Sequence, residues 1–562
     1  MKDPSWTINP PPEKSYRSVF KWGDPREYKH PNKHLVKLLK DFFSLEEDFF
    51  QKPKHLGLDS VSEKPSGNLN KKHFTYFQKI CGVKNVTIES VDRIKASYGK
   101  TMFDLMRLRE KIVENIPDMV VSPRNQKEIE EIVKYCSKHK IPIYTAGMRS
   151  SVTRGTEAPK GGISLDMTRH LTKVIAFNET NQTITVEAGI SGPVLESALN
   201  EAPSRFKAER KFTCGHFPQS FEYSTVGGWI AALGSGQQST YYGDAVDLVV
   251  SQEYITPAGI IKTKEFPAEA CGPSISKFLP GSEGAYGVLV SVTLKVFRFM
   301  PENRRYFSFI FKNFKDAVAA SREIMQSENG IPSAFRISDP EETDAGFKLY
   351  GIEDSIFSKI LPFLGYKKKK RSIMLGFTDG GRQYAKLAAK NIKKICKSHK
   401  AMYITGYAAK KWEKGRYKDP YMRDDLQDFG IIMDTLECGV TWDNLADVYS
   451  AVRAFCKSRP QTMVMVHMSH FYPQGTNLYI IFTGIFKDIK EFSGFQQGII
   501  KAIINHGGSL SHHHGIGKLL APYFEDYIGK NEMSFLKAAK KHFDPNNIMN
   551  PGGTLGFDKL KK

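Results

Sequence analysis

Three turns rich in glycine and hydroxyl residues stand out. They are TAGMRSSVTRG (145–155), GHFPQSFEYSTVGGWIAALGSGQQSTYYGD (215–244) and PGSEGAYGV (280–288). Successive backbone N–H groups in such turns can bind an anion, and glycine lets the backbone approach a ligand closely. The first turn has neither the GxGxxG nor the GxxxxGK[ST] pattern, and alone it is more typical of an ordinary tight turn. The three turns together indicate a ligand site.

A row of three histidines, His512, His513 and His514, lies in GGSLSHHHGIGK (507–518). Neighbouring residues of a regular strand point to opposite faces, so the row does not favour a shared metal ion, and we predict none. Imidazoles titrate near neutral pH and both donate and accept, which suits a place beside a cofactor or an acidic substrate. A surface histidine cluster is the alternative interpretation.

Two tyrosines are candidate proton carriers in HMSHFYPQGTNLYIIF (467–482). Tyr472 and Tyr479 could serve only if a neighbouring charge lowered the phenol pKa from about 10. Packing in the core is the alternative for each ring. The basic run KKKKR (367–371) has no aromatic platform beside it, so it indicates a solvated loop and not a nucleic-acid site.

The elements that must position these residues begin with an α/β unit. An apolar run (118–123), an amphipathic helix (125–140) with Ile129, Ile132, Val133 and Cys136 on one face, and a strand (141–147) follow one another. The following elements are predicted as strands at 162–167, 173–180 and 182–189, a helix from Ser191 to Ala202, a hairpin at 247–263 and a strand at 287–299.

Residues 301–500 have the pattern of a second domain that mixes helices and strands. Strands are predicted at 306–314, 371–379, 462–471 and 478–486, and helices at 315–327, 384–400 and 448–459. The pattern of residues 500–562 predicts helices on either side of the Gly/His turn (507–518). The polar segment before residue 110 predicts short helices, among them HLVKLLKDFF (34–43).

Composition limits the class of protein. The 562 residues are 40% hydrophobic and 25% charged, which excludes a disordered chain, a collagen and a disulfide scaffold. Lys and Arg number 81 and Asp and Glu 60, a formal charge of +21 that suits an anionic partner or simply a basic surface. The seven cysteines form no CxxC pair, which indicates a reducing compartment.

No targeting or membrane segment is predicted. The start, MKDPSWTINPPPEKSYR, has no apolar core typical of a secretory signal, and the end, FDKLKK, matches no targeting motif. No window approaches 18 apolar residues, so no transmembrane helix is expected. We expect a cytoplasmic protein, either free or peripheral on a membrane.

The chain from about 110 to 555 resembles the vanillyl-alcohol-oxidase, or PCMH-type, FAD flavoproteins. The FAD-binding half is carried by VVSPRNQKEIEEIVKYC, ISLDMTR, VEAGISG, GHFPQSFEYSTVGGW, YGDAVDLVV, TPAG and PGSEGAYGV. Within the family it is most similar to the branch of alkyldihydroxyacetonephosphate synthases and their bacterial FAD-linked oxidase relatives. That likeness rests on FEYSTVGGW, SAFRISD (333–339), YMRDDL (421–426), YPQGTNLY (472–479), GGSLSHHHGIGK and FDPNNIMNPG (543–552).

The resemblance implies an α+β fold with a two-subdomain PCMH-type FAD-binding domain, an α/β cap domain and a C-terminal helical return. The corresponding divisions are an N-terminal helical extension (1–110), the FAD-binding domain (111–300), the cap or substrate domain (301–500) and a segment returning to the flavin (501–562).

The resemblance also implies site residues. Tyr479 matches the tyrosine that removes a proton, His512, His513 and His514 match histidines required for activity, and Arg423 and Arg336 match arginines of the substrate site, Arg423 at the phosphate. The implied FAD-binding residues are Thr145, Ala146, Gly147, Met148, Arg149, Ser150, Ser151, Gln219, Ser220, Phe221, Glu222, Tyr223, Ser224, Thr225, Ala232, Leu233, Gly234, Ser235, Glu283, Gly284, Ala285, Tyr286, Gly287, Val288 and Leu289.

One departure from the family concerns the pyrophosphate loop. The family has Gly-Gly-Gly-Thr-Ser where this chain has Gly147-Met148-Arg149-Ser150-Ser151. Met and Arg do not adopt a positive φ cheaply, so we expect the loop to bend differently. Arg149 would then either pair with the pyrophosphate or leave FAD weakly bound. No histidine or cysteine occupies an attachment position, so non-covalent FAD is expected.

Three functions remain open at this point. The first is exchange of the acyl group of acyl-dihydroxyacetone phosphate for a fatty alcohol through a flavin N5 adduct, in ether lipid synthesis. The second is oxidation of a 2-hydroxy acid such as D-lactate or glycolate, and the third is a basic binding module with a degenerate flavin site. The expected partners are FAD, an anionic or lipid-phosphate substrate and a membrane surface, but no nucleic acid; the resemblance alone suggests a homodimer.

Overall fold

A computed structural model describes residues 10–558 of the chain. The expectations about the N-terminal leader and the C-terminal FDKLKK fall partly outside these residues. Among the described residues, no helix combines the length and the apolar character needed to cross a membrane.

The N-terminal segment is helical, as predicted. Its elements are α1 (Tyr16–Phe20), α2 (Lys33–Phe43), α3 (Lys71–Cys81), β1 (Val86–Thr87), α4 (Ser90–Ser97) and α5 (Met102–Arg109). Its helix α2 packs against the cap, and its strand β1 belongs to the first sheet. The predicted helix at 34–43 is α2, which begins where the Asn32 side chain accepts the N–H groups of His34 and Leu35. Residues of α2 pack against residues of the cap, including Leu426 and Ile431.

The predicted α/β unit forms a four-stranded sheet. It contains β2 (Met119–Val121), α6 (Gln126–His139), β3 (Ile143–Ala146) and β4 (Ile163–Asp166), in the strand order β1-β2-β4-β3. β4 pairs parallel with both β2 and β3. The predicted apolar face of α6 is confirmed, because Ile129, Ile132, Val133 and Cys136 are all buried.

A second, antiparallel sheet completes this half. Its strands are β5 (Val174–Asn178), β6 (Thr183–Glu187), β8 (Val249–Thr256), β9 (Gly259–Lys262) and β10 (Val288–Lys295), in the order β5-β6-β10-β8-β9. The elements around it are α7 (Gly192–Asn200), α8 (Ala202–Phe206), β7 (Phe212–Thr213), α9 (Val226–Ala231), α10 (Ser239–Tyr242), α11 (Ala245–Leu248), α12 (Ile275–Phe278) and β11 (Phe297–Arg298). The predicted helix after Ser191 and the predicted hairpin are both present.

A seven-stranded antiparallel sheet forms the cap. Its strands are β12 (Arg305–Phe311), β13 (Ala334–Ser338), β14 (Ser372–Thr378), β15 (Met402–Tyr403), β16 (Ile432–Thr441), β17 (Met463–Phe471) and β18 (Gly475–Gly484), in the order β15-β12-β14-β13-β17-β18-β16. Its helices are α13 (Phe314–Gln326), α14 (Pro340–Leu349), α15 (Ile356–Ile360), α16 (Arg382–Ser398), α17 (Tyr407–Gly415), α18 (Asp419–Gln427), α19 (Leu445–Ser458) and α20 (Ile489–Asn505). The four predicted strands and three predicted helices are confirmed; β13, β15 and β16 were not predicted as strands.

The C-terminal segment pairs with the first sheet. After α21 (Gly517–Ile528) and α22 (Lys530–Phe543), Ile143 of β3 donates its N–H to Ile548 at 2.7 Å and accepts the N–H of Asn550 at 2.8 Å. The same segment is fastened near the His row, because the Glu283 carboxylate accepts the N–H groups of Ile516 and Gly517. The His row therefore lies beside the turns of the first half.

Candidate active site

A cavity of about 700 Å³ lies between the turns of the two smaller sheets and one face of the cap sheet. Successive strand residues point to opposite faces, so each cap strand divides its side chains between core and cavity. In β18, Leu478, Ile480 and Phe482 belong to the core, whereas Tyr479 and Ile481 line the cavity. Strand alternation thus delivers Tyr479 to the site.

The loop after β3 contains one sterically restricted position, Gly147, and one residue in the left-handed conformation, Arg149. A Cβ on Gly147 would lie 2.3 Å from the Thr225 hydroxyl, so a larger residue here would require Thr225 to move. Arg149 adopts φ +59°, which is costly for a residue with a Cβ. Its guanidinium pairs with Asp166 at the end of β4, with Nη2 3.2 Å from Oδ2. The left-handed conformation expected to be expensive is therefore present at Arg149, next to an ion pair.

Polar atoms without protein partners indicate what this end of the cavity accommodates. Thr145 Oγ1, Arg149 Nε, Ser235 Oγ and Gln237 Oε1 are buried and have no hydrogen-bond partner among the described residues. All four residues line the cavity. Burying unsatisfied polar atoms is unfavourable, so the lining fits a ligand that carries many donors and acceptors, as FAD does.

The structure brings most of the predicted FAD-binding residues to this cavity. Those that line it are Thr145, Ala146, Gly147, Met148, Arg149, Ser150, Ser151, Gln219, Ser220, Ser224, Thr225, Ala232, Gly234, Ser235, Glu283, Gly284, Gly287 and Leu289. Those that lie outside its lining are Phe221, Glu222, Tyr223, Leu233, Ala285, Tyr286 and Val288. Core packing accounts for some of these: the Phe221 ring stacks near Trp229, and the Tyr286 ring stacks near Phe278.

The three histidines form a turn around the carboxylate of Glu437. This carboxylate, on β16, accepts the backbone N–H groups of His512 at 2.7 Å, His513 at 3.2 Å and His514 at 3.0 Å, and the Ser511 hydroxyl at 2.7 Å. Glu437 is 3% exposed. Burial raises its pKa, but the neighbouring histidines and these hydrogen bonds outweigh burial and keep the pKa below the usual value. An ionised carboxylate thus holds the turn together.

Glu437, His512 and His513 place one ligand-type atom each within 4.8 Å of one another. The turn is irregular, so the argument from a regular strand does not apply to it. The Glu437 oxygens already accept four hydrogen bonds from the turn, which gives the carboxylate a structural role. We keep the prediction of no metal site.

Arg423 presents open hydrogen-bond donors to the cavity, and its one ion pair among the described residues, to Asp424, is long (Nη2 to Oδ1, 3.8 Å). It lies on α18 and is 9% exposed, and its Nε and Nη2 atoms are buried without hydrogen-bond partners among the described residues. Burial raises the pKa of the nearby Asp434 to about 6, and the charge of Arg423 opposes that shift. A buried guanidinium with open donors is a site for a carboxylate or phosphate.

The N-terminal segment fixes the helix that carries Arg423. Arg17 donates to both oxygens of Asp428, at 2.8 and 3.1 Å, and Arg109 reaches the same carboxylate at 2.7 Å. The N–H of Trp22 donates to Asp424 at 2.7 Å. Asp424 and Asp428 therefore bind the N-terminal segment, and Oδ1 of Asp424 also lies 3.8 Å from Nη2 of Arg423.

Arg336 lies at the cavity but already has partners. Its Nη2 atom is 2.6 Å from Glu342 and 2.9 Å from Nδ1 of His467. Burial raises the pKa of Glu342, but Arg336 and His467 outweigh it and lower the pKa to about 2. The ion pair of Arg336 with Glu342 is 2.6 Å long, whereas that of Arg423 with Asp424 is 3.8 Å, so Arg423 is the better anion site.

The two tyrosines have raised pKa values. The Tyr479 hydroxyl donates to Thr435 at 3.2 Å, and burial raises its pKa to about 12. The Tyr472 hydroxyl donates to Asp244 at 2.6 Å, and burial and this carboxylate raise its pKa further. The lowered phenol pKa that a ready base requires is found at neither residue.

The cavity has a second, apolar part. Its walls come from α2, α14, α18 and the cap sheet, and the side chains are Leu35, Leu38, Leu39, Leu349, Met422, Met433, Met463, Met465, Ile373, Leu375 and Ile481. Methionine side chains adapt easily to the shape of an apolar guest. This part can hold an aliphatic chain while Arg423 holds a charged end.

Sequence reasoning missed several residues of the site. Glu437, Glu342, Asp244 and Thr435 were not singled out. Glu437 had a signal, because it lies in IIMDTLECGVT (431–441), where polar and apolar residues alternate in part as in a strand. The partners of the four residues could not be read from the sequence.

Comparison with known proteins agrees with this geometry. The FAD binding domain family matches residues 117–264, and the family of FAD linked oxidases, C-terminal domain, matches residues 300–554. Alkyldihydroxyacetonephosphate synthase from Dictyostelium discoideum is 30% identical over 484 residues, which are 82% of this chain and 77% of that protein. A glycolate oxidase subunit from Bacillus subtilis (strain 168) is 24% identical over 493 residues, 86% of this chain and 97% of that protein.

A solved structure of alkyldihydroxyacetonephosphate synthase superimposes with a TM-score of 0.80 at 25% identity. The match covers 95% of this chain and 99% of that chain. The expected α+β fold and the FAD cofactor are thereby confirmed. The chain belongs to the family of FAD-linked oxidases that includes alkyldihydroxyacetonephosphate synthase, and it is an FAD-dependent enzyme.

Proposed function

We propose that the protein exchanges the acyl group of acyl-dihydroxyacetone phosphate for a fatty alcohol, a step of ether lipid synthesis. The observation that carries the proposal is the position of Arg423. Its buried guanidinium, two of whose nitrogens have no hydrogen-bond partner among the described residues, faces the same cavity as the apolar part and the FAD-binding turns. A substrate with a phosphate and a long chain matches both features.

The phosphate is assigned to Arg423. A guanidinium donates two parallel hydrogen bonds to a phosphate, and such charge-assisted bonds are stronger in a water-poor site. Arg336 is assigned a weaker role at the same end, because Glu342 shares its charge. The aliphatic chain is assigned to the part lined by α2 and the cap methionines.

The chemistry combines FAD with the residues at the histidine turn. When bound, FAD supplies a ring system that can hold a substrate carbon covalently or accept a hydride. Tyr479, expected to remove a proton, has its ring centroid 6.1 Å from that of His513 and 5.8 Å from that of His514. Because its pKa is raised, Tyr479 enters the reaction as a neutral hydroxyl.

The test is isotope exchange. Purified holoenzyme is incubated with acyl-dihydroxyacetone phosphate and labelled fatty acid, without an electron acceptor. We expect label to enter the substrate and, after addition of a fatty alcohol, an ether product to form. No exchange under conditions where FAD remains bound would contradict the proposal. Acid precipitation of the protein should release the flavin, since we propose that it is not covalently attached.

Oxidation of a 2-hydroxy acid is the second candidate. It is supported by the similarity to the glycolate oxidase subunit and by an arginine that could bind a carboxylate. A small hydroxy acid would leave the apolar part of the cavity without a role, so we rank this candidate second. Bleaching of the flavin absorption by D-lactate or glycolate without oxygen would favour it.

We also propose that the protein binds membranes peripherally. An exposed apolar patch comprises Ile356 at 77%, Phe357 at 40%, Ile360 at 48%, Phe363 at 91% and Leu364 at 52%. The exposed lysines 367–370 follow it. The cavity lining includes Tyr350 and Ile352, just before the patch, so a lipid could enter the cavity from the membrane. Apolar side chains beside lysines suit a surface of anionic lipid.

The homodimer implied by the resemblance is likewise a proposal. Sedimentation velocity of the holoenzyme tests it directly. We expect a species of twice the chain mass at micromolar concentration, and a single species of chain mass would contradict the proposal.

A further inference from the structure

The indole of Trp22 lines the cavity with an unused hydrogen-bond donor. Trp22 lies two residues after α1 in the N-terminal segment and is 5% exposed. Its Nε1 atom is buried and has no hydrogen-bond partner among the described residues. An indole nitrogen only donates, and the N–H group of a buried tryptophan usually finds an acceptor. The position of Trp22 therefore indicates that a ligand in the cavity supplies the acceptor.

Trp22 and Arg423 are held on the two oxygens of one carboxylate. The backbone N–H of Trp22 donates to Oδ2 of Asp424 at 2.7 Å, and Nη2 of Arg423 lies 3.8 Å from Oδ1 of the same carboxylate. Both side chains line the cavity, and Nε and Nη2 of Arg423 have no hydrogen-bond partner in the part of the chain that the structure describes. Three open donors from two distant segments therefore adjoin one another at the cavity wall.

Lys100 fixes the backbone that carries Trp22. Its Nζ atom donates to three consecutive carbonyl oxygens at the end of α1, the last of them on Lys21, at 3.0 to 3.1 Å. Burial lowers the pKa of Lys100 to about 8, and the nearby charge of Asp424 opposes this shift. Lys100 is therefore a cation at neutral pH. It shares the charge of Asp424 with Arg423 and holds the chain just before Trp22.

The ring of Trp22 is fixed as well. It meets the ring of Tyr223 edge to face, with the two centroids 6.2 Å apart. The next residue, Gly23, adopts φ +57°, and a Cβ there would lie 2.4 Å from the Tyr421 hydroxyl, so the chain is closely packed at this point. Because the indole is held in place before a ligand arrives, binding does not have to order it.

We propose that Trp22 is a substrate-binding residue whose indole N–H donates to the anionic group that Arg423 binds. The inference rests on the proposed function for the identity of that group, a phosphate monoester. A phosphate has three terminal oxygens that accept hydrogen bonds, so it can engage both donors of Arg423 and the indole N–H. A carboxylate has two oxygens, and a bidentate contact with the guanidinium engages both. The three donors together therefore fit a phosphate better.

Removal of the N–H group alone tests the contact. Trp22→Phe keeps an aromatic ring beside Tyr223 but has no donor. In the FAD-loaded protein, isothermal titration calorimetry with dihydroxyacetone phosphate should show about tenfold weaker binding, as expected for one lost hydrogen bond to a charged group. Unchanged affinity would overturn the proposal. Trp442→Phe is the matched control and should leave the affinity unchanged, because the Trp442 indole donates to the Pro473 carbonyl oxygen at 2.9 Å, outside the cavity lining.

Kinetics and a second variant separate substrate binding from a merely structural role. We expect Trp22→Phe to raise the KM for acyl-dihydroxyacetone phosphate about tenfold and to keep kcat within about twofold, with the flavin absorption retained. Loss of the flavin would mean that Trp22 donates to FAD, and would overturn the proposal. In an Arg423→Met background, Trp22→Phe should weaken the binding of dihydroxyacetone phosphate less than tenfold, because both residues act on one anion. A full tenfold effect there would place the indole on a different group, which also overturns the proposal.

Tryptophan labelled with ¹⁵N provides a measurement on the unmodified holoenzyme, should Trp22→Phe fail to fold. Dihydroxyacetone phosphate should move the indole N–H resonance of Trp22 downfield, since a new hydrogen bond to an anion deshields the proton. The chain has five tryptophans, and the Trp22 resonance is the one that persists when each of the others is replaced in turn. A resonance that does not move would overturn the proposal.

The outcomes distinguish this proposal from the proposed function. Weaker binding of dihydroxyacetone phosphate in Trp22→Phe, with no exchange activity in the unmodified protein, would keep the phosphate contact and remove the proposed reaction. Exchange activity with the same KM in Trp22→Phe and in the unmodified protein would keep the reaction and remove the contact.

Discussion

The carboxylate of Glu437 lies 2.7 Å from the backbone nitrogen of His512, and this contact anchors the histidine turn to β16. Because the carboxylate also receives the N–H groups of His513 and His514, one buried anion organises all three histidines. An anion that only accepts is suited to this role, since every group that faces it donates.

Replacement of this carboxylate should loosen the turn. In Glu437→Gln, the amide NH₂ group would face backbone donors, which leaves at least one of them unsatisfied. We expect a loss of at least about 2 kcal/mol of unfolding free energy and about a hundredfold loss of activity. Thermal unfolding of the holoenzyme and the exchange assay measure the two effects. Glu131→Gln, at an exposed position of α6, should change neither.

The positive φ of Arg149 has a measurable consequence. Arg149→Gly and Arg149→Ala both remove the ion pair with Asp166, but only glycine relieves the left-handed conformation. We expect Arg149→Gly to be more stable than Arg149→Ala by about 1 kcal/mol in denaturant unfolding. At Lys134, an exposed position inside α6, the corresponding glycine variant should instead be less stable than the alanine variant, because glycine is the poorer helix former. Equal stability of the two Arg149 variants would show that the loop relaxes.

Arg423 should control affinity for the anionic end of the substrate. We expect Arg423→Met to raise KM about 10- to 100-fold, the equivalent of a lost charge-assisted hydrogen-bond pair, and Arg423→Lys to raise it less. The turns that we propose bind FAD do not include this residue, so the flavin absorption should persist. Steady-state kinetics against substrate concentration provide the measurement, with exposed Arg322→Lys as the control. An unchanged KM in Arg423→Met would place the anion elsewhere.

Buried histidines should make the protein sensitive to acid. Burial lowers the pKa of His216 to about 4 and that of His470 to about 3. In the unfolded chain these two histidines bind protons near pH 6.5, whereas in the folded chain they stay neutral at that pH. The free energy of unfolding therefore falls as the pH drops from about 6.5 to about 4. Neither ring nitrogen of His216 has a hydrogen-bond partner among the described residues, so it offers the cleanest test.

His216→Phe should therefore reduce the slope of the unfolding free energy against pH by about 1.4 kcal/mol per pH unit in that range. The phenyl ring preserves the contact with Trp229, whose ring centroid is 4.6 Å away. Urea unfolding at several pH values measures the slope. His542→Phe, at an exposed position, should leave the slope as it is. A slope that does not change in His216→Phe would mean that this histidine is protonated in the folded protein.

The exposed apolar patch should bind lipid. We expect Phe363→Ser to reduce binding to phosphatidylserine-containing vesicles about tenfold or more, since about 1.5–3 kcal/mol is gained when a phenylalanine is buried. High salt should weaken binding further, because the lysines at 367–370 act through charge. Val83→Ser, which removes an exposed apolar side chain outside the patch, is the matched control. Equal vesicle binding by both variants would contradict the proposal.

Local pattern in the sequence was enough for much of the fold. The apolar face of α6, the strands β17 and β18 and the glycine-rich turns follow from side-chain periodicity and from backbone sterics, which act over a few residues. Gly147 is an example: its type alone indicated a close approach, and the structure shows Thr225 in the space that a Cβ would need.

The site itself depends on contacts between distant segments. Asp244 and Tyr472 are separated by 228 positions, and Glu437 and His512 by 75, so no local pattern pairs them. The sequence by itself determined which residue types were present: three histidines, two tyrosines, two arginines and the glycine-rich turns that we propose bind FAD. Only the tertiary structure decided their states, because the protonation and the partner of a buried group depend on the charges that the fold places around it.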